Sequence, residues 1–362
     1  MTKAVFAFPG ALETRTGGYI YDRRVIELLP ACGVDVARLQ LPASFPFPSP
    51  HDLAQTQRLL SQVSAEQVLL VDGLAWGAIP PAIARAIPAA IIALCHHPLG
   101  LEAGLSAAQS AALIENERAV LNVAAHVIVT SAATAQTLIA DFGVAREKIT
   151  IAEPGTERAP RARGSTGAPV LLAVGSIVPR KGYDVLADAM AMIADRESRL
   201  VIAGSSRDRA FAEALRARID AADLHGRITL AGELDDEALA RAYDGADIFV
   251  SASHYEGYGM VLTEALARGL PIVTTTGGAA ATTGPDDVAL KVPPGDAPAL
   301  AAALRRLIDD GELRARLADN AWMAAGNLPH WQDTAKTIAG VIERVNAARP
   351  VNLIATQAGK ST

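Results

Sequence analysis

The sequence predicts an α/β protein of two doubly wound domains that face each other across a cleft. Three observations predict it. At 362 residues the chain exceeds the usual size of one hydrophobic core. Short apolar runs ending in Gly, Pro or polar residues alternate along the whole length with longer stretches of helical spacing. The hydrophobic half of the residues leans on Ala, Leu and Val with few aromatics, which suits helices packed on both faces of parallel strands.

In the first half the apolar runs read as strands at 4–8, 34–39, 67–71, 90–94, 126–130 and 148–152, with helical patterns between most of them. The Pro-rich stretch 42–50 lies between βα-like patterns of one domain and reads as a surface loop. The Pro-, Gly- and Arg-rich stretch 156–169 has no apolar periodicity and reads as an interdomain linker. This divides the chain into a first domain at 1–157, a linker at 158–169 and a second domain at 170–330. In the second domain strands are predicted at 170–174, 199–203, 227–231, 247–251, 271–275 and 288–292. Helices are predicted notably at 184–194, 207–222, 236–243, 259–268 and 297–309. After Pro329 and His330, the spacing of Thr334, Ile338, Ile342 and Val345 predicts a last helix over 331–348 that crosses the domain junction. Residues 349–362 read as a loose tail.

The net charge of -6 is mild, and no Lys or Arg run is long enough for a nucleic-acid-binding stripe. The basic cluster 158–163 is compatible with weak peripheral contact to an anionic membrane face, but a flexible solvated linker is the commoner meaning of such a cluster. No signal-like start and no uncharged run of about 18–20 residues is present, so a cytoplasmic location is expected, at most peripheral to the inner membrane face. Cys32 and Cys95 lack CxxC spacing and read as small buried hydrophobes.

Doubly wound sheets bind ligands beyond the carboxyl ends of their strands. The stretch SASHYEGYGMVLTEALARGLPIV, residues 251–273, reads as strand end, loop, helix and next strand, with Glu256 on the loop and Glu264 in the second helical turn. Gly257 and Gly259 permit close backbone approach, and the amides of Tyr258, Gly259, Met260 and Val261 are the unpaired donors of a helix start, which suit an anion. The two glutamates do not form a glycosidase pair. Eight helical positions correspond to about 12 Å of rise, whereas retaining glycosidases hold their carboxyls about 5–5.5 Å apart. They read as separate hydroxyl-binding groups at the two ends of an extended ligand, or as charges near a helix start. The stretch LLAVGSIVPRKGYDVLADAM, residues 171–190, places Arg180 and Lys181 before a helix, where both suit phosphate oxygens.

On these motifs the second half resembles the retaining glycosyltransferases of family 4. GSIVPRKG, AGELDDEALARAYDGADIFVSASHYEGYGMVLTEALARGLPIVTTTGG and KVPPGDAPALAAALRRL follow that family's order and spacing over roughly residues 170–345. The resemblance implies the GT-B arrangement of two Rossmann-like domains, a nucleoside diphosphate sugar donor and retention at the anomeric carbon. It further implies that Glu256 binds donor-sugar hydroxyls, Glu264 the ribose hydroxyls, the backbone from Gly259 to Val261 phosphates and sugar, Lys181 phosphate, and that Gly232 lines the nucleobase pocket. Two positions depart from the family pattern. Ser176 stands where the family often has an arginine, a charge that Arg180 is expected to supply, and the GGAAATTG loop, 277–284, lacks a Glu that many relatives carry after the paired glycines.

The first half resembles the family less specifically, as befits an acceptor-binding domain. Gly17 and Gly18 precede a helix, where paired glycines permit approach of phosphate or acceptor, or serve a turn with unusual torsions. His96 and His97 end a strand, and the resemblance places His96 near the transferred sugar; either imidazole would serve a hydroxyl or the reacting centre. A zinc pair is the competing reading. Adjacent strand residues point to opposite faces, however, and no Cys or His cluster completes a site. No Asp-x-Asp occurs to hold a metal against a diphosphate, so no divalent metal and no cofactor beyond the donor is expected.

The expected activity is glycosyl transfer from a nucleotide-sugar donor to an unidentified acceptor hydroxyl on a glycan, lipid-linked or small-molecule acceptor. A GT-B epimerase or phosphorylase, or a catalytically silent nucleotide-sugar-binding protein, are the alternatives.

Overall fold

Continuous apolar runs make strands that are buried on both faces and need helices on both sides of the sheet. Val68–Asp72, buried at every position, is such a strand. The computed structural model, described over residues 1–349, contains two six-stranded sheets in which all pairings are parallel. The first comprises β1 (Thr2–Pro9), β2 (Val34–Leu41), β3 (Val68–Asp72), β4 (Ala90–Cys95), β5 (His126–Val129) and β6 (Ile149–Ile151), in the order β2-β1-β3-β4-β5-β6. The second comprises β7 (Val170–Val174), β8 (Arg199–Ala203), β9 (Ile228–Gly232), β10 (Ile248–Ser251), β11 (Ile272–Thr275) and β12 (Ala289–Val292), in the order β12-β11-β10-β7-β8-β9. The protein is thus α/β with two doubly wound layers. Each strand order reverses once, at β1/β3 and at β7/β10, and a crevice opens at such switch points beyond the carboxyl ends of the strands.

The last helix, Trp331–Ala347, returns to the first sheet, where Trp331, Ile338, Val341, Ile342 and Val345 pack into one apolar cluster with Phe6, Val25 and Leu29. A further helix, Gly311–Ala324, packs against the helices Met260–Leu266 and Ala297–Asp309 and was not singled out by the sequence pattern. Among the described residues no helix is long and apolar enough to cross a membrane. Most of the expected tail, residues 350–362, lies outside the described residues.

The linker is solvated as expected from composition, with Arg158, Arg161 and Arg163 exposed, but the expectation that it is loose requires correction. Its Pro and Gly content prevents helix and strand, but its polar groups are tied down. Thr156 is buried, its hydroxyl 2.8 Å from that of Thr263 and its N–H donating to the Pro329 carbonyl at 2.8 Å. Arg158 lies over the Trp322 ring, 4.5 Å from the centroid. Arg161 pairs with Asp319 at 2.5 Å, and Arg163 pairs with Asp244. The basic cluster therefore has intramolecular partners. The Pro-rich loop, read as surface, is divided: Phe45 is buried and Phe47 is 53% exposed.

Candidate functional site

Both switch points lead into one cleft. Beyond β7 and β10 lie the loops of Ser176, Arg180, Lys181 and Glu256; Asp72 ends β3, and beyond β1 and β4 lie Gly17, Gly18, His96 and His97. The walls touch. A side chain at Gly257 would collide with the His96 carbonyl, and the Thr134 hydroxyl donates to the Gly257 carbonyl at 3.3 Å.

On the second domain's wall, Arg180 and Lys181 occupy a short 3-10 turn, Pro179–Lys181, ahead of the helix Tyr183–Met192. Glu256 is buried between them. Lys181 Nζ lies 2.6 Å from Glu256 Oε1, which also accepts from the Ser253 hydroxyl at 2.6 Å, and Arg180 Nη1 lies 3.4 Å from Glu256 Oε2. Burial by itself raises the Glu256 carboxyl, yet Lys181 and Arg180 outweigh it and bring it down to about 2. For Lys181, burial wins and lowers the ammonium, with Glu256 acting in the opposite sense. The carboxylate of this close pair is the firmer charge because it has two cations where the ammonium has one carboxylate. Arg180 also reaches the opposite domain: its Nε donates to Glu102 Oε1 at 2.9 Å, its Nη1 to the Tyr255 carbonyl at 2.8 Å, and Glu102 Oε2 lies 2.8 Å from His97 Nε2.

The helix after Glu256 is Met260–Leu266, capped by Gly259 in the left-handed region at φ 88°. It is shorter than 259–268 because Gly269, at φ 67°, and Leu270 close it with bonds back to Leu266 and Ala265. Glu264, in its second turn, accepts from the Tyr243 hydroxyl at 2.8 Å. Burial raises its carboxyl, with Tyr243 and Arg268 pulling the other way. Tyr258 is buried and its carbonyl accepts from Thr283, while Gly232 ends β9 at φ 70° with open space where a side chain would stand. The GGAAATTG loop packs directly on the Glu256 segment: Glu256 N–H donates to the Gly277 carbonyl and Ala279 N–H to the Glu256 carbonyl. Arg180, expected to supply the charge missing at Ser176, instead commits its guanidinium to Glu102, Tyr255 and Glu256.

On the first domain's wall, Gly17 and Gly18 are the first two residues of the helix Gly17–Leu28 rather than a loop before it. Neither has positive φ; a Cβ on Gly18 would crowd the His96 ring at 3.3 Å, whereas one on Gly17 would meet Met260 Sδ at an ordinary 3.6 Å, so close approach accounts for Gly18 only. His96 and His97 follow β4 and diverge, His97 to Glu102 and His96 into the first domain. There His96 Nε2 lies 3.3 Å from Asp22 Oδ1 and 3.4 Å from Asp72 Oδ2. Both aspartates are buried, and Tyr21 meets the His96 ring edge-on with centroids 5.2 Å apart. Burial alone lowers the imidazole, but Asp22 and Asp72 outweigh it and hold it above its ordinary value. Burial, then repulsion from Asp72, raises the Asp22 carboxyl.

Asp22, Asp72 and His96 also offer three ligand atoms within 4.8 Å of one another, so the judgement that nothing completes a metal set around the histidines needs amending. The separations are those of hydrogen-bonded ion pairs, which account for the cluster as an imidazolium between two carboxylates. Sequence reasoning missed Asp22, Asp72, Glu102, Ser253 and Tyr243. Asp72 ends a strand and Asp22 follows Gly18 by four positions, one helical turn, so both carried a usable signal; Glu102 carried none.

Residues 11–155 match the model of a glycosyl transferase 4-like domain, and residues 156–322 that of the glycosyl transferases group 1. The chain is 27% identical over 274 residues to the MMP alpha-(1->4)-mannosyltransferase of Mycolicibacterium hassiacum, covering 71% of this chain and 66% of that protein. It is 32% identical over 263 residues to the D-inositol 3-phosphate glycosyltransferase of Thermobispora bispora, covering 65% and 60%. To the mannosylfructose-phosphate synthase of Agrobacterium fabrum it is 31% identical over 184 residues, covering 46% and 40%. The matches thus span from two fifths to just under two thirds of these relatives. Among solved structures, sucrose-phosphate synthase from Thermosynechococcus elongatus shares the fold with a TM-score of 0.81 at 23% identity, covering 96% of this chain and 100% of that one. HepE of Anabaena, solved in complex with UDP and glucose, does so with a TM-score of 0.74 at 17% identity, covering 93% and 99%. With the two family models meeting between residues 155 and 156, and the two sheets and returning helix of the GT-B fold in place, the chain belongs to the family 4 glycosyltransferases.

Proposed function

We propose that the chain transfers a glycosyl group, with retention, from a nucleoside diphosphate sugar held by its second domain to an acceptor hydroxyl held by its first. The observation that carries this reading is the Lys181–Glu256–Arg180 cluster at the β7/β10 switch point, where a sugar diphosphate would lie along the wall. The solved HepE complexes with UDP-glucose and the sugar transfers named for the relatives support a nucleotide-sugar donor.

In this reading Glu256, kept ionised by its two cations, accepts from donor-sugar hydroxyls, and Glu264 accepts from the ribose. Lys181 and the amides of Met260 and Val261 face the diphosphate, whose negative charge grows as the glycosyl bond breaks. Stabilising that growth more than the bound donor is what lowers the barrier. His96, fixed beside Gly18 and Gly257, stands at the junction of donor and acceptor walls. A cytoplasmic location belongs to the same proposal, and the partners that Arg158, Arg161 and Arg163 have within the chain favour a docked linker over a membrane-binding one.

Cations and oriented amides meet the diphosphate charge without a divalent metal. A thermal-shift screen of nucleotide sugars identifies the donor, because a ligand bound by the folded state alone raises its stability. Initial rates are then measured with candidate acceptors in excess EDTA and with added magnesium or manganese. The expected outcome is acceptor-dependent release of nucleoside diphosphate that EDTA leaves unchanged; loss of nearly all activity, restored by either ion, rejects the phosphate site as drawn.

A further inference from the structure

A diphosphate needs positive charge that the protein has not already neutralised. At the ends of β7 and β8, where the second domain's anion site would lie, the described residues offer four cations: Arg180, Lys181, Arg207 and Arg209. Three have carboxylate partners. Lys181 pairs with Glu256 at 2.6 Å, Arg180 with Glu102 at 2.9 Å and Glu256 at 3.4 Å, and Arg209 with Glu213 at 2.8 Å. The charges of Arg180, Lys181, Glu102 and Glu256 cancel. Among the described residues Arg207 alone of the four has no carboxylate within ion-pair distance, and its side chain is exposed.

Its loop is fastened to the Ser176 loop. Ile177 N–H donates to the Ser205 carbonyl at 2.8 Å and Asp208 N–H to the Ile177 carbonyl at 3.3 Å, while Arg207 N–H donates to the Ser205 carbonyl at 3.0 Å. A side chain on Gly204 would collide with the Gly175 carbonyl, so the two loops approach backbone to backbone. Across the cleft stands Tyr19, on the helix that begins at Gly17, and the charge of Arg207 is near enough to act on that hydroxyl. Arg207 therefore sits on a loop fastened beside Ser176 at the carboxyl end of β8, with its side chain exposed.

We propose that Arg207 supplies the unneutralised cation that binds the donor diphosphate, in the place that Ser176 leaves without charge and that Arg180 cannot fill while it holds Glu102. The proposal rests on the nucleotide-sugar reading above. Arg180 in this arrangement positions Glu256 and joins the two walls, whereas Arg207 touches the ligand.

The test is calorimetric titration of the full chain and of Arg207→Ala, Arg207→Lys and Arg180→Ala with UDP, GDP, ADP and dTDP, with melting curves to verify folding. Arg207→Ala is expected to melt like the wild type and to raise the Kd of the preferred nucleoside diphosphate at least tenfold. Arg207→Lys should recover part of that loss, and Arg180→Ala should cost the bare nucleotide less than Arg207→Ala does. Binding by Arg207→Ala within twofold of the wild type, or an equal or larger loss in a folded Arg180→Ala, overturns the assignment. A wild-type chain that binds none of the four nucleotides overturns the donor reading itself, an outcome distinct from the other two.

Discussion

In the second domain one buried carboxylate, Glu256, stands between two cations; in the first, one imidazole, His96, stands between two buried carboxylates, Asp22 and Asp72. The groups are similar but the balances are opposite. Glu256 has more positive charge than it needs and ionises readily. Asp22 is raised first by burial and then by the charge of Asp72, which one imidazolium does not fully offset, and among the described residues its Oδ2 has no hydrogen-bond partner. A carboxylate in a cleft is therefore not one kind of object, and its behaviour follows from what surrounds it at low dielectric.

Lys181→Ala should produce the largest change. Lys181 is only 13% exposed where its ammonium meets the buried Glu256, and breaking such an enclosed pair costs about 3–5 kcal/mol. The expected result is a loss of about 3 kcal/mol in urea denaturation together with at least a hundredfold loss of transfer, the scale of removing one transition-state donor. A variant as stable as the wild type would show that Arg180 and Ser253 suffice to hold Glu256.

A third carboxylate sharpens the comparison because among the described residues it has no cation partner. Glu117 is buried, its Oε2 accepting from Leu99 N–H at 2.9 Å just after the two histidines, and burial raises its carboxyl to about 8 against the opposing bonds of Leu99 and Gly100. A folded value above the unfolded one means that the folded chain keeps a proton the unfolded chain releases. That stabilisation is fully present below about pH 4.5 and is lost as the pH rises through about 8. Between pH 5.5 and 7.5 the contribution of Glu117 to stability should fall by about 2–3 kcal/mol. Denaturation midpoints of Glu117→Gln should lack this component, and a slope equal to the wild type's would place the ionisation elsewhere.

The smallest effect is expected at Asp22. Removing one of two like charges should cost less than about 1 kcal/mol at pH 8, and relief of its repulsion with Asp72 favours a gain. Urea titration of Asp22→Asn beside Glu256→Gln checks this, since comparable losses in the two variants would erase the distinction between the clusters.

Much of the fold was legible. β7 and β8 run where the apolar runs 170–174 and 199–203 place them, because strands buried on both faces cannot alternate with polar residues. Glu256, Gly259 and Glu264 form one contiguous motif, and their placement at a loop and helix start follows from spacing alone. The linker was misread because composition reports what a segment cannot form, not what it docks on.

The sequence by itself determined the two doubly wound layers, the returning helix and the donor-side motif, all of which are written in local periodicity and in residues a few positions apart. Only the tertiary structure decided the charges. Glu102 meets Arg180 across 78 positions and His96 meets Asp22 across 74, and at 2.9–3.3 Å such neighbours set the protonation that a residue's own letters leave open. The reason is that spacing along the chain fixes dihedral angles and faces, whereas ionisation depends on the summed field and solvent exclusion of groups that come together only when the sheets and their strand-end loops pack.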